Sequence, residues 1–464
     1  MKGKIAAFFG TQDLTQGSPM RGLIQFSVPL LIGNLAQQLY NTVDSIVVGK
    51  YVGDNALAAV GASGPLLNLL LVLFMGIATG ATIMVSQYFG ARQQDLLSTT
   101  VGNTITLTVI SSIFIMILGP LITHPLMSLI NTPAEIYQDS CNYLIIIFLG
   151  IIGTAGYNIL AGVLRGLGDS FMPLVYLVIA CLLNVVLDLL FVVVFHWGVA
   201  GVAIATSISQ IVSGILCLIR LLNMKEIVVV PLSSLRLHKE LVLRLTKLGV
   251  PSGLAQAIFS LAAIVVQSLT NSFETAVITA SIIVMRVDGF AMMPNFTFGT
   301  AMTTYSGQNI GAGKIDRVHE GTKAGMKLGL IVSTMLTILI LLFGRILMSW
   351  FTNTQSIIDL GFHMMCILAV GYIAMSVTQG LSGVMRGAGD TMTPTWISFI
   401  TTVVIRVPIA YGIAFLTRSP EQPAGNSDCL YISLLISWVL GALITYFCYR
   451  RGKWKHKAIT SETE

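Results

Sequence analysis

The sequence predicts an all-α membrane protein with twelve transmembrane helices, arranged as two related six-helix bundles. Three observations predict it: a scarcity of charge, apolar runs of helix-spanning length, and two motifs that recur at one constant offset. Of 464 residues, 55% are hydrophobic and 10% are charged, where soluble domains carry about 25% charged residues. Inside a bilayer only helices and closed barrels satisfy every backbone group. Barrel strands would read as alternating segments of about ten residues. The apolar runs here are about twenty residues long, which suits helices.

The runs fall at about 23–48, 56–84, 97–122, 136–160, 172–195 and 198–222, then at 246–271, 276–304, 319–345, 356–383, 392–416 and 429–449. Prolines and glycines are expected at many of the ends, among them Pro120, Pro125, Pro173 and Pro394. Lys2 and Lys4 precede no apolar core with a small-residue cleavage site, so the first run reads as a retained helix.

Basic residues set the orientation. An N-terminus inside puts Lys2, Lys4, Arg21, Arg92, Arg165 and the Arg220–Lys247 cluster in the cytoplasm. Lys314, Arg317, Lys323, Lys327, Arg386 and the tail from Arg450 to Lys457 follow them, and the outside receives Lys50, Arg345 and Arg418. Both termini are therefore expected in the cytoplasm of a cell (inner) membrane. The net charge of +6 is spread over alternate loops as an orientation signal, so no nucleic-acid partner is expected.

The internal repeat sets the domain plan. Leu160-Ala-Gly-Val-Leu-Arg165-Gly-Leu-Gly-Asp169, ending at Pro173, recurs 221 positions later as Leu381-Ser-Gly-Val-Met-Arg386-Gly-Ala-Gly-Asp390, ending at Pro394. Gln87-Tyr-Phe-Gly90-Ala91 with Asp95 recurs at the same offset as Gln308-Asn-Ile-Gly311-Ala312 with Asp316. Two matches at one shift indicate duplication. Each copy holds an even number of spans, so the halves point the same way through the membrane. The expected division is a lobe at 1–222, a basic cytoplasmic linker at 223–245, and a second lobe with a basic tail at 246–464.

Ionisable residues within spans cost about 2.5–3.5 kcal/mol each on insertion scales, so they mark candidate sites. Asp44 ends a stripe of Asn34, Gln37, Gln38, Asn41 and Ser45 on one helix face. Asn184 and Asp188 stack one turn apart, and Thr206, Ser209, Gln210 and Ser213 make a polar face in the sixth span. Carboxylates with amide and hydroxyl oxygens suit Na⁺; partly desolvated, they can also carry protons. Asp44 near a helix end can instead simply reach interfacial water, and a membrane Thr usually bonds its own preceding turn. Shifted by 221 positions, Asp44 maps to Val265, Asn184 to Ile405 and Asp188 to Ile409, so the acidic set belongs to one copy. Arg286 and Asp288, two apart, do not face each other and pair with neighbouring spans as structural glue or serve substrate; Arg406 beside Pro408 holds carbonyls freed by the proline or lines a path.

Other motifs carry less. The two G-x-G-D sequences at 166–169 and 387–390 match a pattern of intramembrane aspartyl proteases, yet each follows an Arg, precedes a Pro and falls in a loop. Glycines permitting a tight turn explain them better. Six scattered cysteines form no C-x-x-C, so neither a metal framework nor a disulfide framework is expected. No phosphate-binding glycine loop is present, which leaves no obvious ATP site.

The sequence resembles the multidrug and toxic compound extrusion (MATE) family over nearly its whole length. The resemblance rests on Asp13-Leu-Thr-x-Gly17-Ser18 with Phe26 and Pro29, Asn41-Thr-Val-Asp44, Ala56-Leu-Ala-Ala59 and the doubled Arg-Gly-x-Gly-Asp loops. The prokaryotic DinF-like and YoeA-like branches look most similar. The resemblance implies a secondary antiporter with two six-helix lobes, alternating access, and a cation site in the first lobe at Asp44, Asn184, Asp188 and Thr206. It implies small-molecule substrates such as amphipathic organic cations, with Na⁺ or H⁺ as the coupling ion and no cofactor. Gln37, Asn41, Gln210, Arg286, Asp288 and Arg406 are candidates for the substrate pathway, and a monomer in the lipid bilayer is expected. The alternative is a lipid-linked oligosaccharide flippase, which would need several cationic cavity residues. No catalytic constellation supports a membrane-embedded enzyme.

Overall fold

The computed structural model describes residues 10–420 and 422–462, so Lys2 and Lys4 of the orientation argument lie outside the described residues. Every expected span is a helix, and no strand occurs among the described residues. The first half comprises α1 (Pro19–Val47), α2 (Asp54–Gly90), α3 (Gln94–Leu129), α4 (Ala134–Leu149), α5 (Ile151–Gly166), α6 (Phe171–Leu189) and α7 (Gly198–Asn223). The second comprises α8 (Lys239–Thr270), α9 (Thr275–Gly311), α10 (Ile315–Ser349), α11 (Gln355–Gly387), α12 (Met392–Phe399), α13 (Val407–Leu416) and α14 (Cys429–Arg451). α4 and α5 form one span bent by 52°. α12 and α13 are joined by a π-helical segment, Ile400–Arg406, into another.

Ten helical stretches among the described residues are long and apolar enough to cross a membrane, and the bent pair makes an eleventh. α1 is 29 residues long but does not join them, because its polar stripe dilutes the apolar run. Pro120 and Pro125 correct an expectation: both lie inside α3 instead of marking its end. In a membrane, neighbouring helices and local adjustments re-satisfy the groups a proline frees, so the helix continues past it.

The chain divides into two compact units. Among the described residues, one holds 10–13 and Gln25–Gly253; the other holds Leu14–Ile24 and those from Leu254 onward. In the first unit, α5 lies close against α2. A Cβ on Gly162 would stand 2.9 Å from the carbonyl oxygen of Ala78, and one on Gly166 would stand 2.9 Å from Val85. Thr82 Oγ1 donates to the Gly162 carbonyl at 2.9 Å across this contact. In the second unit, Gly383 meets Gly299 and Gly387 meets Thr303 and Ser306 in the α9–α11 contact. The shift of 221 positions carries Ala78, Thr82 and Val85 onto Gly299, Thr303 and Ser306. The repeat is therefore a repeated packing surface, built on small residues that let backbones approach.

The doubled G-x-G-D loops are matching helix-ending turns. Gly168 and Gly389 adopt φ of +91° and +94°, which glycine alone reaches without steric cost. Asp169 N–H donates to the Leu164 carbonyl at 2.8 Å and Asp390 N–H to Met385 at 2.9 Å. Each carboxylate then receives a backbone N–H of the next helix, Met172 at 3.0 Å and Thr393 at 3.2 Å. Asp169 also takes both Nε and Nη2 of Arg220, at 3.0 and 2.9 Å. These acids are caps, with their oxygens committed.

Candidate cation site

Three elements of the first unit bring the site together. α1 presents Asp44 in its last turn, and the backbone then widens into a π-helical turn, Val48–Val52, that ends at Gly53 with φ +119°. α6 presents Asn184 and Asp188, both fully buried, and likewise widens at once into a π-helical turn, Leu190–Val194. α7 supplies Thr206. Single π turns shift helical register and recur at functional sites; here one follows each of the two acids.

The Asp44 and Asp188 carboxyl groups are in hydrogen-bonding contact. The Asn184 amide, oriented so that its nitrogen faces the acid, donates to Asp188 Oδ2 at 2.9 Å, and its oxygen accepts the Thr206 N–H at 3.3 Å. Tyr40 Oη is buried within hydrogen-bonding reach of the Thr206 side chain, and Asp44 Oδ1 and Asp188 Oδ1 are buried and make no hydrogen bond. One helical turn further along α7, Ser209 Oγ and Gln210 Oε1 are in the same condition. No lysine or arginine pairs with either acid among the described residues. A dense set of oxygens that lacks a cationic side chain can accept a proton or a small hard cation. Any ion held there meets two carboxylates plus neutral oxygens, since no cluster of three or more His, Cys, Asp or Glu exists among the described residues.

The remaining candidates are dispersed. Gln37 Nε2 donates to Asn41 Oδ1 at 3.4 Å, one turn apart on the stripe of α1. Asn34, Gln38, Asn41 and Ser45 of that stripe are exposed, and an exposed polar face on a spanning helix must border water. Gln210 is buried on α7. In the second unit, Asp288 and Arg406 line one cavity of about 270 Å³, whereas Arg286 is exposed and absent from its wall. α9 explains the split: Ser281, Val284, Asp288 and Met292 share the cavity face at helical spacing, and Arg286 points elsewhere.

Sequence reasoning missed Tyr40 and Tyr143, whose hydroxyls lie within electrostatic range of both acids. Tyr40 lies one turn before Asp44, so the spacing of the stripe could have found it. Tyr143 comes from α4, and no local pattern ties it to the site. A cluster of Val48, Ala56, Tyr143, Ile147, Val192, Val199, Val202 and Ala203 packs at the same end of the unit. Val48 and Val192 come from the two π turns and Val202 from the turn before Thr206, so apolar contacts close the site on that side.

The MatE family profile matches residues 29–190 and 251–412, one stretch in each half. The probable multidrug resistance protein YpnP of Bacillus subtilis is 30% identical, with 97% of this chain and 99% of that protein aligned. The probable multidrug resistance protein YoeA of the same organism is 29% identical, with 97% of each aligned. Among solved structures, an outward-facing multidrug resistance MATE family transporter of the MOP superfamily superposes with a TM-score of 0.87 at 23% identity, covering 96% of this chain and 98% of that one. Two family matches that coincide with the two repeats, and relatives aligned end to end, leave one assignment: this multi-pass membrane protein belongs to the MatE family of multidrug and toxic compound extrusion transporters.

Proposed function

We propose that the protein is a secondary antiporter that exports amphipathic organic compounds in exchange for inward Na⁺ or H⁺, by alternating access in the cell membrane. The observation that carries this reading is the pair of touching carboxyl groups, Asp44 and Asp188, with unpartnered oxygens around them and no basic neighbour. Two ionised carboxylates this close repel each other, so a proton or a cation between them favours the arrangement in which they meet. Losing that charge favours separation of α1 from α6. A ligand biases two states only by binding them differently, and this pair binds a cation only when the two acids are together. A cationic substrate drawn to the same negative charge competes with the coupling ion, and competition at one charge is what exchange requires. The relatives named as probable multidrug resistance proteins support the substrate class.

The basic excess in alternate loops supports cytoplasmic termini. A monomer suffices for this scheme, because every residue of the site comes from one chain. The flippase alternative has less support: of the two arginines that could meet a phosphate headgroup, Arg406 alone lines the cavity of the second unit.

Purified protein in liposomes tests the proposal, with ethidium efflux followed under separate Na⁺ and pH gradients. Wild type is expected to respond to at least one gradient. Asp188→Asn is expected to lose that response while reaching the membrane at wild-type level. Gradient-driven efflux at wild-type rate in the variant moves the coupling charge elsewhere, and indifference of the wild type to both gradients removes antiport.

A further inference from the structure

The second unit holds a cavity of about 270 Å³ that the cation scheme does not use. It is slightly smaller than the usual ligand pocket of about 300–1,000 Å³. Its wall is mostly apolar, with Phe259, Met292, Phe296, Met375 and Trp438, and into it project one acid and one base, Asp288 and Arg406. The two are not an ion pair: Asp288 Oδ1 and Arg406 Nε are buried without a hydrogen bond, while Tyr372 reaches the Asp288 carboxyl group from behind. Buried polar atoms nearly always find partners, so two orphaned atoms of opposite charge on one small cavity mark a place built for a guest.

The backbone is shaped to the same end. Pro408 has no N–H for the carbonyl of Val404, and the chain before it runs as the π-helical segment Ile400–Arg406, with Arg406 as its last residue. The carbonyl of Thr401 inside that segment accepts Ser437 Oγ at 2.9 Å, which ties the widened turn to α14. Neither charge belongs to the duplicated plan: shifted back by 221 positions, Asp288 falls on Leu67 and Arg406 on Val185. Each half has thus acquired its own charged set, two acids in the first and a balanced acid and base in the second.

We propose that this cavity is a second ligand site, and that it takes a compact zwitterion on an aromatic body. Its cationic group meets Asp288, its carboxylate meets Arg406, and its ring lies among Phe259, Phe296 and Trp438. Charge balance selects this class. The cavity is neutral as a whole, so a neutral guest with both charges leaves nothing uncompensated. A simple cation would add net charge to a mostly apolar pocket beside Arg406, and a simple anion would add it beside Asp288, and a charge left unpaired away from water is unfavourable.

Binding to the purified full-length protein, without any gradient, tests this with three radiolabelled probes on one indole body: tryptophan, tryptamine and indole-3-propionate. Equilibrium dialysis is expected to show tryptophan bound at least about tenfold more tightly than either singly charged analogue, the range for losing one partner of a buried charge pair. Asp288→Asn should weaken tryptophan and tryptamine, and Arg406→Gln should weaken tryptophan and indole-3-propionate. Asp188→Asn should leave tryptophan binding unchanged, so failure of the antiport scheme leaves this result standing. Ala263→Phe, which fills the cavity and keeps both charges, should abolish binding even if the charge variants fail to fold. Equal affinity for the three probes, preference for tryptamine, no binding of any probe, or wild-type tryptophan affinity in Ala263→Phe each overturns the proposal.

Discussion

Tyr40 stands one helical turn before Asp44, with its hydroxyl buried within hydrogen-bonding reach of the Thr206 side chain. A hydroxyl in that position adds a neutral oxygen to the pair of carboxylates, and Asn184 and Thr206 act similarly from α6 and α7. Removing one neutral oxygen should weaken an ion's hold without removing the charge that attracts it. Tyr40→Phe is therefore expected to raise the half-saturating concentration of the coupling ion about three- to tenfold, the effect of about 1 kcal/mol for one hydrogen-bonding group. Ion-dependent efflux in liposomes measures this, and an unchanged half-saturation value takes Tyr40 out of the ion's surroundings. Asp169 and Asp390 show the opposite use of an acid. Their oxygens are taken by backbone N–H groups and, for Asp169, by Arg220. An acid is available for transport chemistry only where its oxygens have no permanent partner, and in this chain that separates Asp44 and Asp188 from the loop aspartates.

Among the elements, α8 shows how glycine spacing positions a helix. Gly249 and Gly253 approach Gly76 so closely that a Cβ on Gly249 would stand 2.7 Å from the Gly76 carbonyl oxygen, and one on Gly80 would stand 2.7 Å from that of Leu245. A larger residue there must force the two backbones apart. Gly249→Val is expected to destabilise the protein by about 1–3 kcal/mol, the usual cost of overpacking, and to lower its apparent melting temperature in detergent. Gly61→Ala, on the same helix α2 but with open space around it, should be neutral or slightly stabilising because alanine favours the helix. Equal melting temperatures for Gly249→Val and wild type would show that the contact yields without cost. The π-helical turns teach the complementary point. Pro408 accounts for the one before α13, but no proline accompanies those after Asp44 and Asp188, so tertiary packing alone holds them.

For the whole molecule, duplication and asymmetry coexist. The α2–α5 and α9–α11 contacts are copies, as are the turns at Gly168 and Gly389, while Asp44, Asp188, Asp288 and Arg406 have no counterpart at the 221 offset. Packing surfaces must be kept in both halves for each to hold together, whereas a binding group is needed only where its ligand goes. The distribution of lysine and arginine makes a separate prediction at this scale. With both termini in the cytoplasm, a fluorescent protein fused after the last residue should fluoresce and alkaline phosphatase fused there should be inactive. A phosphatase inserted in the loop near Arg418 should be active. The reverse pattern would invert the orientation and, with it, the direction of proposed transport.

The sequence by itself determined the helical class, the twelve spans, the repeat and the four residues of α1, α6 and α7 that the structure brings together. It could do so because a bilayer is a uniform solvent: apolar length, helical spacing and the rarity of buried charge are read locally, span by span. It also identified Asp288 and Arg406 but attached Arg286 to them. Only the packing of the helices places Arg286 on an exposed face, brings Tyr143 from a distant helix into electrostatic range of the acids, keeps Pro120 and Pro125 inside α3, and widens the backbone beside each acid. Those outcomes depend on which helices lie against one another and at what rotation, and neither quantity is encoded in any single span.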